Sequence, residues 1–174
     1  LQPGDTLKFF EHQKEYDYEV CSCFTNNPEA AGLSFCKEYK IDCKIIDHKN
    51  YNDREEYDGL INSYLENLNP DLIVLAGYMR IMSKSLVDNW EGQIVNIHPS
   101  LLPKYPGLNT HKRALEAKDK THGSTIHFVT SELDSGPIIR QESFEIEPSD
   151  TEESLINKVK DLEHKIYPET IAFL

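Results

Sequence analysis

The sequence predicts one α/β domain over residues 1–174, built on a mostly parallel twisted sheet flanked by helices, with antiparallel strands on its C-terminal side. Three observations predict it. Strand-like and helix-like patterns alternate through the first hundred or so residues. The run "DLIVLAG" at 71–77 is continuously apolar, which suits a parallel strand covered on both faces. Later, "STIHFVT" and "PIIRQESFEI" follow one another across a short loop, which suits an antiparallel pair.

The elements follow in order. "YEVCSCFT" at 18–25 alternates enough for a strand, and "NPEAAGLSFCKEY" after it reads as a helix with Pro28 in its first turn. "CKIID" at 43–47 is a short strand. Tyr57, Leu60, Ile61, Tyr64, Leu65 and Leu68 recur at helical spacing and give an amphipathic helix. A short helix at 83–90 leads to the strand "QIVNIH", and another helix lies near 110–117. Leu155, Val159, Leu162 and Ile166 mark a last helix within 151–174, capped by Asp150 or Thr151, which Pro168 should kink or interrupt. The whole order is Rossmann-like.

Composition narrows the partners. A chain of 174 residues is long enough to bury a sizeable core. The net charge of −12, spread along the chain, disfavours nucleic acid and anionic membranes, though one small phosphate could still find a local basic patch. Cys21, Cys23, Cys36 and Cys43 form no C-x-x-C pair and sit among apolar residues, as free thiols of a reducing cytoplasm do. No run approaches a membrane span.

The stretch "IVNIHPSLLPKYPG" at 94–107 carries the chemistry. Ligands of such sheets sit beyond the carboxyl ends of strands. Asn96 and His98 occupy one such end, two residues apart and hence on one face. An amide can donate to a carbonyl oxygen gaining negative charge, and an imidazole can move a proton near neutral pH. Pro99, Pro103, Pro106 and Gly107 stiffen the loop behind them. Asp134, in the turn-forming run "LDSGP", supplies a carboxylate that could orient His98 and favour its cation. His122 and His127 are an odd number apart on one strand and so point to opposite faces, which argues against a joint metal site and leaves His127 structural. His111 and His122 are secondary candidates.

The segment "NIHPSLLPKYPGLNTHKRALEAKDKTHGSTIHFVTSELDSGPII" closely resembles the phosphoribosylglycinamide formyltransferase family, the folate-dependent formyltransferases of purine synthesis. The likeness runs from Leu1 to about residue 173 and includes "DREEYD", "LAGYMRIM" and "EHKIYP". It implies the Rossmann-like formyltransferase fold, 10-formyltetrahydrofolate as formyl donor, the amine of glycinamide ribonucleotide as acceptor, and no metal. It implies Asn96, His98 and Asp134 as the catalytic trio. It places the folate against Arg54, the backbone of Met79, Arg80, Ile81 and Met82, Asn96, and the loop Thr130, Ser131, Glu132, Leu133 and Asp134. Glu163 matches a position that contacts the ribonucleotide; read without the resemblance, it is an exposed helix carboxylate, Arg54 a solvated helix residue, and Met79 and Met82 core. A cytoplasmic monomer or homodimer acting on small molecules is expected. The resemblance also implies an apolar strand and a Gly-rich phosphate loop ahead of Leu1. Family relatives that use water or a charged tRNA as acceptor fit less well, the tRNA enzyme because of the −12 charge.

Overall fold

The computed structural model describes residues 3–174. In chain order the elements are α1 (Pro3–His12), β1 (Cys23–Thr25), α2 (Leu33–Tyr39), β2 (Cys43–Ile45), a 3-10 turn (His48–Asn50), α3 (Arg54–Leu68), β3 (Ile73–Leu75), α4 (Lys84–Asn89), β4 (Ile94–His98), α5 (Thr110–Glu116), β5 (Thr121–Phe128), β6 (Ile138–Glu145) and α6 (Glu152–Ile171).

Local chemistry sets the helix ends. The Asp53 side chain accepts from the Glu55 amide and caps α3, whose first turn carries Glu55 and Glu56 against the positive end of the helix dipole. Asn69, in the left-handed region at φ 49°, closes α3 by donating its N–H to Leu65. Thr151 and Ser154 exchange hydrogen bonds at the start of α6. The α6 helix runs on past Pro168 to Ile171 rather than being interrupted there. The α2 helix starts at Leu33, not near Pro28, because Asn27 Oδ1 accepts from the Glu29 amide and holds that stretch in a turn.

β1 pairs with β2 in parallel, and β3 with β4 in parallel; β4, β5 and β6 follow one another antiparallel. The described strands thus form a two-stranded sheet and a mixed four-stranded sheet. β4 lies between two helical layers. Val95 packs with Phe9, Phe10, Ile166 and Tyr167 on one face, and Ile94 with Tyr57, Ile61, Leu86 and Trp90 on the other. This is the period-2 alternation of a strand buried on both sides. The Tyr167 hydroxyl lies 2.9 Å from the Leu75 carbonyl and 3.0 Å from that of Val95, fastening α6 across β3 and β4.

Between β1 and β3 lies a cavity of about 670 Å³ whose walls include Phe10, Cys23, Phe24, Leu65, Val74 and Ala76. Both strands turn an edge toward it. The strand and phosphate loop expected ahead of Leu1 lie outside the described residues. No described helix is long and apolar enough to cross a membrane.

Candidate active site

β4 ends at His98, and the chain then enters a loop that doubles back over the strand. Hydrogen bonds from Ser100, Thr125 and Gln141 help to hold it. Ser100 Oγ donates to the Lys104 carbonyl at 2.6 Å, Thr125 Oγ1 donates to the Ser100 carbonyl at 2.6 Å, and Thr125 Oγ1 accepts from the Leu102 amide at 3.1 Å. Gln141 Nε2 donates to the Leu102 carbonyl at 3.0 Å. The stiffness anticipated from the prolines therefore comes equally from β5 and β6 side chains beneath the loop.

This loop and the β5–β6 turn bring the expected trio together. His98, 6% exposed, has Nδ1 3.4 Å from Asp134 Oδ2. Its Nε2 lies 2.9 Å from the Tyr105 carbonyl. A carbonyl only accepts, so Nε2 carries a proton. With Nδ1 facing a carboxylate, the arrangement is satisfied in full by the imidazolium, protonated on both nitrogens. Asp134 sits in the left-handed region at φ 49° and accepts from the Gly107 amide at 2.8 Å, tying the two loops together. Gly107 adopts φ +76°, which presents that amide without strain. Two residues past Asp134, Gly136 passes so close to β5 that a Cβ would fall 1.8 Å from the Phe128 carbonyl oxygen.

The sequence reading gave His127 a structural role, and the geometry sets it beside Asn96. Asn96 and His127 are cross-strand partners in the β4–β5 pairing. His127 Nδ1 is 2.9 Å from the Phe128 carbonyl, so its proton resides there and Nε2 is left as an acceptor. Nε2 lies 3.5 Å from Asn96 Nδ2 and 3.8 Å from Asp134 Oδ1. Burial, above all, holds its pKa below the usual histidine value, which keeps that lone pair available. His127 thereby turns the NH₂ end of Asn96 inward, leaving the second amide proton for a ligand. Cross-strand register was the signal for this residue; spacing along one strand could not give it.

His111 and His122 also meet, with 3.0 Å between Nδ1 and Nε2; the charges of both Asp119 and His98 act on His122. The His122 pKa is pushed down to about 4, by burial first and His111 second. Among the described residues no group of three or more His, Cys, Asp or Glu is arranged to hold a metal ion.

The residues expected around a folate divide. β3 pairs with β4 so that Leu75 lies beside Asn96, and the loop carrying Met79, Arg80, Ile81 and Met82 leaves the sheet next to the trio. Met79 is 74% exposed, not core, and Ile81 is 60% exposed, while Met82 packs inward against the cluster of Tyr57, Ile61 and Leu86. Leu108 and Leu133 are exposed on the neighbouring loops. Exposed apolar side chains gathered by a polar centre are a mark of ligand surfaces. Thr130 is half-buried, and Ser131 and Glu132 are exposed. Arg54 is exposed in the first turn of α3 and touches none of the trio.

Glu163 is not the exposed carboxylate that helix periodicity alone gave. Its Oε1 lies 2.7 Å from Ser124 Oγ, which is itself 2.8 Å from the His98 carbonyl, so α6 reaches the end of β4. Burial, opposed by the Ser124 hydrogen bond, pushes its pKa up from 4.5 to about 7. The unfolded chain releases this proton near 4.5 and the folded chain near 7. The folded state therefore holds more protons between those values, and stability falls as pH rises through them. Glu163→Gln stays neutral and escapes that fall. Its unfolding free energy relative to the parent should climb across this window and then level off, by on the order of 1–3 kcal/mol in total. Urea unfolding at about pH 4 and about pH 8 measures it; a difference independent of pH would mean that the carboxyl titrates normally.

An amide, an imidazole and a carboxylate converging at a strand end, beside an apolar rim, define a group-transfer site suited to a tetrahedral centre bearing an oxyanion. The chain belongs to the formyl transferase family, which it matches over residues 7–171. It is 42% identical to phosphoribosylglycinamide formyltransferase of Escherichia coli over 154 residues, 88% of this chain and 73% of that protein. It is also 42% identical, over 90% of its length, to trifunctional purine biosynthetic protein adenosine-3 of Gallus gallus, of which it spans only 16%. The solved phosphoribosylglycinamide formyltransferase of Coxiella burnetii superimposes with a TM-score of 0.92 at 40% identity, covering 98% of this chain and 82% of that one.

Proposed function

We propose that this chain transfers the formyl group of 10-formyltetrahydrofolate to the amine of glycinamide ribonucleotide, giving formylglycinamide ribonucleotide and tetrahydrofolate in purine synthesis. One observation carries the assignment of the site: Asn96, His98 and Asp134 converge at the end of β4, with Nδ1 of His98 3.4 Å from Asp134. The nucleophile arrives with the substrate, so the reaction needs no covalent enzyme intermediate. The amine attacks the formyl carbon, and the carbonyl oxygen becomes an oxyanion. The free amide proton of Asn96 and the imidazolium of His98 stabilise it, the ring exchanging the Tyr105 carbonyl for the substrate oxygen at Nε2. Asp134 positions His98 and, through a water, relays the proton lost by the amine to the departing folate nitrogen.

The exposed Met79 and Ile81, with Leu133, provide a flat apolar seat for the pterin, whose polar edge the loop backbones read. Arg54 suits the carboxylates of the folate tail, and Glu163 the ribonucleotide. Further, a strand laid into the slot between β1 and β3 would join the two sheets, and the loop after it would offer backbone amides to the substrate phosphate. A cytoplasmic enzyme, monomer or homodimer, fits this chemistry.

The test is a formyl-transfer assay on the full-length protein. Formylated ribonucleotide should accumulate undiminished in excess EDTA. Loss of transfer on chelation, restored by a divalent ion, would contradict the scheme.

A further inference from the structure

We propose that Asp58 is a positioning residue for the folate side of the site, anchoring the loop 77–83 in the register that turns Met79 and Ile81 toward the ligand. The proposal rests on the function just given. Asp58 lies on the inner face of α3, 2% exposed, one residue after Tyr57. Its Oδ2 accepts from the backbone amide of Ser83 at 2.5 Å. Ser83, also buried, uses its hydroxyl to accept from the Leu86 amide and so caps α4. One carboxylate thus fixes the far end of the loop and the start of the next helix.

A second contact fixes the middle. The Arg80 guanidinium lies over the Tyr57 ring, 5.1 Å from its centroid, and its Nε is buried without a hydrogen-bond partner. Arg80 therefore faces α3, while Met79 and Ile81 on either side of it project outward at 74% and 60% exposure. Met82 turns inward again. Inward and outward side chains thus alternate along the loop, which bends at Arg80, and a slip of one residue would exchange them. Tyr57 and Asp58 together exclude that slip. With Arg80 directed inward, the outward face is left apolar and the backbone free to read a flat ring. An acid is also an expensive way to fill this space. A buried carboxylate is tolerated only when hydrogen-bonded, and an apolar residue of similar volume is often no less stable. Loop register, not packing, is what the carboxylate supplies.

The experiment uses the full-length protein with Asp58→Ala and Asp58→Asn. Asn retains an oxygen acceptor for the Ser83 amide; Ala does not. Asp58→Ala should raise KM for 10-formyltetrahydrofolate about tenfold or more, the scale of one lost anchoring interaction, with KM for the ribonucleotide little changed. Asp58→Asn should restore most of the folate affinity. Equal rises in both KM values, or folded Asp58→Ala with normal folate KM, would overturn the proposal. Hydrogen exchange on the unliganded parent provides an arm that no folding failure can obscure. The Ser83 amide should be protected like the interior amides of α3, and exchange as fast as at Met79 would also overturn it. Failure of the parent itself to bind reduced folate would instead count against the function, leaving the Ser83 protection to judge the anchor.

Discussion

Replacing Asp134 with Asn is expected to lower turnover by roughly 2–4 orders of magnitude, the usual scale for lost acid–base assistance, while leaving the fold intact. Asn is nearly isosteric and tolerates the left-handed backbone at φ 49°. Its side-chain oxygen can still accept from the Gly107 amide, now 2.8 Å away, so the two loops stay joined. What disappears is the negative charge facing His98 Nδ1 at 3.4 Å. Without it the imidazolium has no counter-charge in a buried site, and the proton relay loses its carboxylate. Ribonucleotide affinity should hold, because its proposed contact, Glu163, lies behind β4 on α6; folate affinity should fall modestly, because residues 130–134 are proposed to line its side. Turnover, both KM values and thermal melting on one preparation provide the check. Near-normal turnover would remove Asp134 from the mechanism, and a collapsed melt would make it a structural residue.

Asn96→Ala should cost about 10²–10³ in kcat, the range for one oxyanion donor, with both KM values little affected. The donor acts mainly once the formyl oxygen gains charge, so its loss belongs in kcat. Stability should drop by only about 0.5–1.5 kcal/mol, since among the described residues the side-chain amide meets His127 Nε2 alone, at 3.5 Å. A variant with unchanged kcat and a raised folate KM would make Asn96 a binding residue only.

The core of the site was legible because strand geometry is simple. Asn96 and His98 share a face by period two, and the apolar run before them marks a buried strand that must end at the sheet's carboxyl edge. Asp134 was legible as a turn carboxylate, but its reach to His98 depends on β5 and β6 pairing antiparallel beside β4. The contact of His127 with Asn96 was not legible because it lies across the sheet: the register that sets the two opposite each other is not a property of either strand alone. Met79 read as core because an apolar side chain next to an apolar strand usually is; its exposure follows from Arg80 turning inward onto Tyr57. The early strand was read too long. Of residues 18–25 only Cys23–Thr25 join a ladder, while Val20 gives its amide to the Gln13 side chain and Tyr18 its hydroxyl to the Phe9 carbonyl. The alternation at 18–25 was there to read, but the Val20 amide is taken by a side chain and is lost to any ladder.

The central claim is that this site delivers a formyl group to the ribonucleotide amine and not to water. The most direct measurement gives the full-length protein 10-formyltetrahydrofolate labelled with ¹³C in the formyl carbon, together with glycinamide ribonucleotide, and follows the label by mass. The expected result is one labelled formyl on the ribonucleotide for each tetrahydrofolate released, with negligible labelled formate. Labelled formate released at the same rate whether or not the ribonucleotide is present, and an unlabelled ribonucleotide, would contradict it.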